Sequence, residues 1–588
     1  MIPSPAWRPV PSGERWRSGR WSLDRRADEL ADIRCDGKIV LRGVRAVARD
    51  RDWQTASPHE VTADATDSSL TVGIRIAQRG ISLTGTVRVE VEGDRLTVTF
   101  TADIDRDSLT NRTGLVVLHP PRLAGSELAV GRTDGTELPM RFPMAISPHQ
   151  PARNIVSLSW ADHGTAFHLG LEGDVFEMED QRNWSDASYK TYNRSLDEPF
   201  PYVLATGERI LQRVVLTAGA PAPQDDLLPD ATPAVTALEL TPGGPFPLIA
   251  VGASTAPSPG PSAPDPITSH RHVEIDLTDP AWPAALRRAQ LGAEDLSVML
   301  VSPDRVDPTL LSEAAGALTA GVPLRWVGIT SAVSHVSEPA LVTALRTALP
   351  ATAPIVGGAR SHFTELNREW DRVGHSEMDG LVVASTPLFH TDETDQLIEA
   401  VAMQRLIAQD LSGRASGLPV HIGPVTLRPR FNNVATSPPP RPHRADLAEG
   451  YGAQRTGSED PRQASPELAA WTIASAAALA IPGVASLTYF EEWGPRGLRT
   501  PDGADLPVRD ALAALTALQG GELLSAASAD GLIRAIGARR DGHCEVLLAN
   551  LSANPRAVGV RAGASAGASA ELGPFGWSRL EISTSERG

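Results

Sequence analysis

Between residues 296 and 357 the chain reads LSVMLV (296–301), PTLLSEAAGALTA (308–320), LRWVGI (324–329), PALVTALRTAL (339–349) and APIVG (353–357). Short apolar runs alternate with longer stretches whose apolar residues recur at helical spacing, and both long stretches open on Pro, a first-turn residue of helices. Runs this apolar suit strands buried on both faces, as in a parallel sheet covered by helices. The βα repeat extends in both directions. Upstream lie strand patterns at Pro247–Val251 and His272–Leu277, with a helix at Trp282–Leu291 between the second of them and Leu296. Downstream come Gly380–Ala384, Val420–Leu427 and Ala485–Phe490, with helical patterns at Glu393–Leu411, Pro466–Leu479 and Val508–Leu518. Eight strand runs with intervening helices match a closed (β/α)8 TIM barrel. A poorly patterned insert, Asn432–Gln463, follows the seventh strand and contains Pro438-Pro-Pro.

The chain changes rhythm on both sides of this block. From about residue 30 to 220 it alternates apolar and polar residues with period two, as in Ile81–Val91 and Leu96–Phe100, split by turn pairs such as Gly93-Asp94. That pattern predicts an antiparallel β-sandwich. After Gly520 come short strand patterns at Leu532–Ala538, Glu545–Leu548, Arg556–Val560 and Trp577–Ile582, with Ala562–Ala570 read as a low-complexity loop. The expected domains are a sandwich over 1–221, a catalytic barrel over 222–521 and a small β domain over 522–588.

Composition narrows the function. With 588 residues and a formal net charge of −17, the chain is poorly suited to a phosphate backbone, so no nucleic-acid partner is expected. No apolar run is long enough to span a bilayer, so no membrane partner is expected. Two cysteines, Cys35 and Cys544, and an N-terminus without an apolar leader point to the cytoplasm. No Gly-rich phosphate loop, Cys cluster or metalloprotease His spacing occurs, so no cofactor and no metal ligands are assigned. Oligomeric state stays open.

Barrel chemistry belongs at strand C-termini. The fifth strand runs into Gly357-Gly-Ala-Arg-Ser-His-Phe-Thr-Glu-Leu-Asn367, the sixth is followed by His390, the seventh spans His421 to Arg430, and the eighth ends Tyr489-Phe-Glu-Glu-Trp493. Glu365 and Glu491 are the expected catalytic carboxylates. Such a pair serves glycoside hydrolysis as acid and nucleophile or base. It serves lactone hydrolysis by activating water and protonating the leaving alkoxide, while Arg428, Arg430 or histidines hold the oxyanion. Asn367, His390, His421, Arg428 and Tyr489 are expected to bind substrate. A non-catalytic carbohydrate-binding protein is a third reading, disfavoured by ionisable groups at the strand ends. One further stretch stands out: FEMEDQRNWSDASYKTY (176–192) carries four carboxylates, two cations and four aromatics with no Gly or Pro. Opposed charges among aromatics predict an ordered polar network. Glu179, Asp180, Arg182, Asn183 and Lys190 are expected to help wall the substrate pocket, with bracing between domains as the alternative.

These motifs together carry a resemblance. The 176–192 stretch, His119-Pro120, Ser147-Pro-His-Gln150, Phe363-Thr-Glu-Leu-Asn367, Pro424-Val-Thr-Leu-Arg-Pro-Arg-Phe-Asn432 and Tyr489-Phe-Glu491 resemble the bacterial D-apionate lactonase family over nearly the whole chain. The resemblance implies sandwich, TIM barrel and small β domain in that order. It also implies a small sugar lactone as substrate, opened from D-apionolactone to D-apionate in apiose catabolism. The chain departs from the expected pattern at Asn193, in place of Cys, and at Phe490, in place of Tyr.

Overall fold

The computed structural model describes residues 4–8, 15–220, 235–256, 260, 266–303, 305–373, 377–435, 459–563 and 567–583. Most of the insert expected over Asn432–Gln463, including Pro438-Pro-Pro, lies outside the described residues. The chain divides into two compact units, Pro9–Ala231 with Val434–Pro439, and the remainder.

The first unit is an antiparallel β-sandwich. One run of pairings joins Glu60–Ala65, Ser69–Gln78, Ile81–Glu92, Arg95–Ile104, Arg209–Ala218, Thr165–Glu172 and Ala152–Asp162. A second joins Phe176–Asp180, Tyr189–Asn193, Ser108–His119, Lys38–Asp50, Glu29–Cys35 and Trp21–Arg26. Period-two patterning produces the two faces: in Ile81–Glu92, Leu83, Val87 and Val89 turn inward while Thr84, Arg88 and Glu90 are exposed. The inward residues join one core with Trp21, Val44, Phe100 and Leu169.

The second unit holds the barrel. Its strands are β1 (Leu248–Gly252), β2 (His270–Asp276), β3 (Asp295–Ser302), β4 (Leu324–Ser331), β5 (Ile355–Ala359), β6 (Gly380–Ser385), β7 (Val420–Val425) and β8 (Val484–Glu491). Each pairs in parallel with the next, and β1 closes on β8 with Leu248 opposite Ser486. Pro308 and Pro339 open helices Pro308–Thr319 and Pro339–Ala348, where a missing N–H costs nothing. No helix among the described residues is long and apolar enough to cross a membrane.

After the barrel, Glu522–Ala527, Ile533–Arg540, His543–Asn550 and Trp577–Ser583 form an antiparallel sheet that also takes in Thr241–Pro245. The run read as a low-complexity loop differs from expectation: Ala568–Leu572 is a strand antiparallel to Arg556–Arg561. Small residues have weak strand preference, and pairing against Val558 and Val560 overrides it. Residues Ser4–Arg8 belong to this same unit. The backbone N–H and hydroxyl of Ser4 donate to Glu467 at 2.7 and 2.9 Å, and Trp7 packs edge-on to Phe575.

Candidate active site

A cavity opens at the C-terminal end of the barrel, and its described lining residues all belong to the barrel unit. Strand β2 delivers much of it. Its sequence, HRHVEID, sets His272, Glu274 and Asp276 at alternate positions, and all three line the cavity. Arg360, immediately after β5, and Arg430, after β7, both pair with Glu274. Arg360 donates through Nε at 3.2 Å and also through a terminal N–H, and Arg430 donates at 3.0 Å. Arg430 further donates to the Arg360 carbonyl. Both guanidiniums lie against the Phe431 ring, at 4.1 and 5.7 Å from its centroid. Burial alone pushes the Glu274 carboxyl up, but the charges of Arg360 and Arg430 overcome it and hold the group well below the usual range.

Across β1, Glu491 is aimed by a break in strand alternation. Val251 stands opposite Tyr489, but Gly252 stands opposite Glu491, so Phe490 is an extra residue on β8. Its φ of +52° is left-handed, uncommon for a bulky side chain. Tyr489 faces outward, its hydroxyl 2.9 Å from Ser475 on helix Glu467–Leu479, whereas Phe490 and Glu491 both line the cavity. Gly252 makes room for the bulge, since a Cβ there would sit 2.5 Å from the Phe490 carbonyl oxygen. The Glu491 carboxylate accepts from the Thr255 backbone N–H at 3.0 Å, the Thr255 hydroxyl at 3.0 Å and the Arg496 guanidinium at 3.0 and 2.5 Å.

Two comparisons bear on this arrangement. The family described as D-apionate lactonase, N-terminal domain, matches residues 5–221, and that described as D-apionate lactonase, TIM barrel domain, matches residues 270–520. The chain belongs to the D-apionate lactonase family. It is thereby an enzyme of the lactonase class, a hydrolase acting on a carboxylic ester. A D-apionate lactonase from Brucella anthropi is 28% identical over 523 residues, 83% of each chain. Among solved structures, an arabinofuranosidase from Xanthomonas axonopodis is 12% identical, with 59% of this chain and 100% of that one covered at a TM-score of 0.39. A putative aldose 1-epimerase from Escherichia coli is 13% identical, with 35% and 98% covered at a TM-score of 0.26.

The expected site residues of this family member scatter across the barrel. Glu491 lines the cavity; Glu365 does not. Glu365 is the third residue of helix Phe363–Arg368, where it accepts from the backbone N–H of His362 at 3.0 Å and the Ser361 hydroxyl at 2.7 Å, and Asn433 also donates to it. Those are capping contacts at a helix N-terminus, and burial raises its pKa. Asn367 accepts from Arg414, at the end of helix Thr394–Arg414, at 2.7 Å. His421 sits at the start of β7, 2.8 Å from the Ser486 hydroxyl and beside Trp326, and burial pushes its pKa down to about 4. Arg428 pairs with Asp460 at 2.8 Å and Asp392 at 3.2 Å, and the His390 ring lies 5.0 Å from Phe389. None of these lines the cavity. Glu274 and Arg360 were not singled out from sequence. The signal for Glu274 was present as polar residues on alternate positions of β2, and Arg360 directly follows an apolar strand.

The 176–192 stretch forms two paired strands, Phe176–Asp180 and Tyr189–Asn193, joined through a turn of 3-10 helix at Gln181–Trp184. Several of its charges find partners inside the sandwich unit. Asp180 binds Arg182 at 2.7 Å and accepts from the Ser147 backbone at 2.9 Å. Arg182 also donates to the carbonyl of Pro143 at 2.8 Å, and Asn183 donates to that of Ser147. Lys190 pairs with Glu179, which also accepts from the Trp184 indole at 3.0 Å. Glu177 accepts from the Tyr192 hydroxyl at 2.5 Å and the Ser195 hydroxyl at 3.0 Å, with the Arg112 guanidinium stacked on Tyr192 at 3.8 Å.

Proposed function

We propose that the chain opens D-apionolactone to D-apionate in bacterial apiose catabolism, in the cytoplasm, with the barrel cavity as its active site. The aim of Glu491 into that cavity, set by the Phe490 bulge, carries the assignment. Similarity to the Brucella anthropi D-apionate lactonase over 83% of both chains supports the substrate. In the reaction, water oxygen bonds to the ring carbonyl carbon as Glu491 takes its proton. The tetrahedral intermediate then expels the ring oxygen, which takes that proton back from Glu491, leaving a free hydroxyl and a carboxylic acid that ionises to the carboxylate in water. Thr255 and Arg496 fix the Glu491 carboxylate for that transfer. Glu365 has the role of a helix cap in this scheme, and Glu179, Asp180, Arg182, Asn183 and Lys190 that of ordering the sandwich.

Glu274 and Glu491 both line the cavity, which also favours a glycosidase reading. That mechanism needs one carboxyl protonated at working pH. Two guanidiniums keep Glu274 ionised, so it is a poor proton donor. A pH-stat assay on a panel of aldonolactones beside aryl glycosides separates the two. Acid release from lactones with intact glycosides is expected; sugar release from glycosides with no action on lactones would reverse the assignment.

A further inference from the structure

The barrel cavity holds an unusual charge arrangement: two arginines on one carboxylate. Arg360 and Arg430 share Glu274, and each side chain is 12% exposed while lining the cavity. Buried ion pairs persist when the charges are matched, and an unmatched buried cation is costly. Among the described residues, one positive charge of this trio is left over. The charged groups that act on Arg430 are Glu274, Arg360 and Arg496, and Arg496 is already paired with Glu491. The described residues that line the cavity include four arginines (Arg288, Arg360, Arg430, Arg496) and three acids (Glu274, Asp276, Glu491). This surplus of cations occurs in a chain of net charge −17. Burial works against the Arg430 charge, lowering its pKa, and an anion bound beside it would relieve that penalty.

Lactone hydrolysis creates such an anion twice. The ring ester is neutral, the tetrahedral intermediate carries an oxyanion, and the product carries a carboxylate. We propose that Arg360 and Arg430 form an anion subsite that stabilises the oxyanion during ring opening and then holds the carboxylate of the product. Planar guanidinium forks suit both geometries better than a point charge. Glu274 is a positioning residue: it fixes the two forks side by side, and stacking on Phe431 limits their rotation. The subsite rests on the lactonase reading for its substrate, but its anion binding stands independently of turnover. It also makes the enzyme subject to competitive inhibition by aldonates, its own class of product.

The test uses the full chain and titration calorimetry with sodium threonate and sodium gluconate. The neutral alditols threitol and glucitol serve as controls, and lactone kinetics run in parallel. The expected result is aldonate binding without alditol binding, weakened tenfold or more by Arg430→Gln and by Arg360→Gln. Loss of an oxyanion donor should lower kcat by roughly 10²–10³-fold. Arg430→Lys should recover aldonate binding in part while leaving kcat low, a split that simple structural damage would not produce. Unchanged aldonate affinity in Arg430→Gln, or alditols binding as well as aldonates, would overturn the subsite. Should the Gln variants fail to fold, product inhibition of the unaltered enzyme decides: absence of competitive inhibition by aldonates refutes the proposal. An enzyme that binds aldonates through Arg430 but opens no lactone refutes the lactonase reading alone. One that opens lactones with wild-type kinetics in Arg430→Gln refutes the subsite alone.

Discussion

The sandwich and the barrel each bury a dense set of arginines and carboxylates, and they settle those charges differently. Around the 176–192 stretch, Asp180 meets Arg182, Glu179 meets Lys190, and the second bonds of these groups go to backbone carbonyls and N–H groups. These pairs are held in place by the chain's own backbone groups. In the barrel, Glu274 serves two guanidiniums, and all three groups line the cavity. Ionic density alone therefore does not mark a site. What sets the barrel apart is a carboxylate shared by two guanidiniums beside a cavity.

The comparison can be broken most forcefully at Glu491. Glu491→Gln is expected to lower lactone turnover by roughly 10²–10⁴-fold, the usual contribution of a positioned proton-transfer group. Its thermal melting should stay close to wild type, and a fully active variant would return Glu491 to the same standing as the sandwich acids. Next in size is Asp180→Ala. Removing one partner of a buried pair costs about 3–5 kcal/mol. Urea unfolding followed by limited proteolysis should show the sandwich weakened while kcat of the folded fraction holds.

Acid should also separate the two units. Burial lowers His272, His335 and His421 to about 4 and His362 to about 3 in the barrel unit, against His119, at about 3, in the sandwich. Each is neutral when folded and takes up a proton on unfolding, where its pKa is about 6.5. Their stabilisation is complete above that value and declines as pH falls from 6.5 toward 4. Hydrogen exchange at pH 7 and pH 5 should show protection lost from barrel amides before sandwich amides. The smallest effect is expected from Glu365→Gln, since Gln also serves at the third position of a capping box: thermal stability should change little, and kcat should stay within a few-fold of wild type. A collapse in kcat without unfolding would restore Glu365 to the chemistry.

Architecture was legible because it rests on patterns the chain must carry. LSVMLV and LRWVGI are buried on both faces in a parallel barrel, and Ile81–Glu92 alternates because only one face of a sandwich strand is buried. The 176–192 stretch was legible as an ordered network for the same kind of reason, since so many charges among aromatics require partners. The proposed site was less legible. Glu365 follows a strand end, as a catalytic acid would, yet three residues into a helix an acid is also a cap, and spacing does not distinguish them. His421 lies on a barrel strand but at its beginning, a depth that depends on register with Ser486. Glu274 shares its alternating face with His272 and Asp276, and strand spacing alone does not say which of the three is paired by arginines from neighbouring strands. The aim of Glu491 depends on a left-handed φ at Phe490, a property of the backbone that side-chain type does not encode.

The tie between Ser4 and Glu467 spans 463 residues of sequence, with the whole sandwich between its ends. During synthesis, domains fold as units and the earlier ones fold first. The sandwich can reach its final form while the barrel is still being made, but Ser4 and Trp7 must wait for helix Glu467–Leu479 and Phe575. A segment translated ahead of the sandwich is thus among the last to dock, because its partners Glu467 and Phe575 lie far downstream.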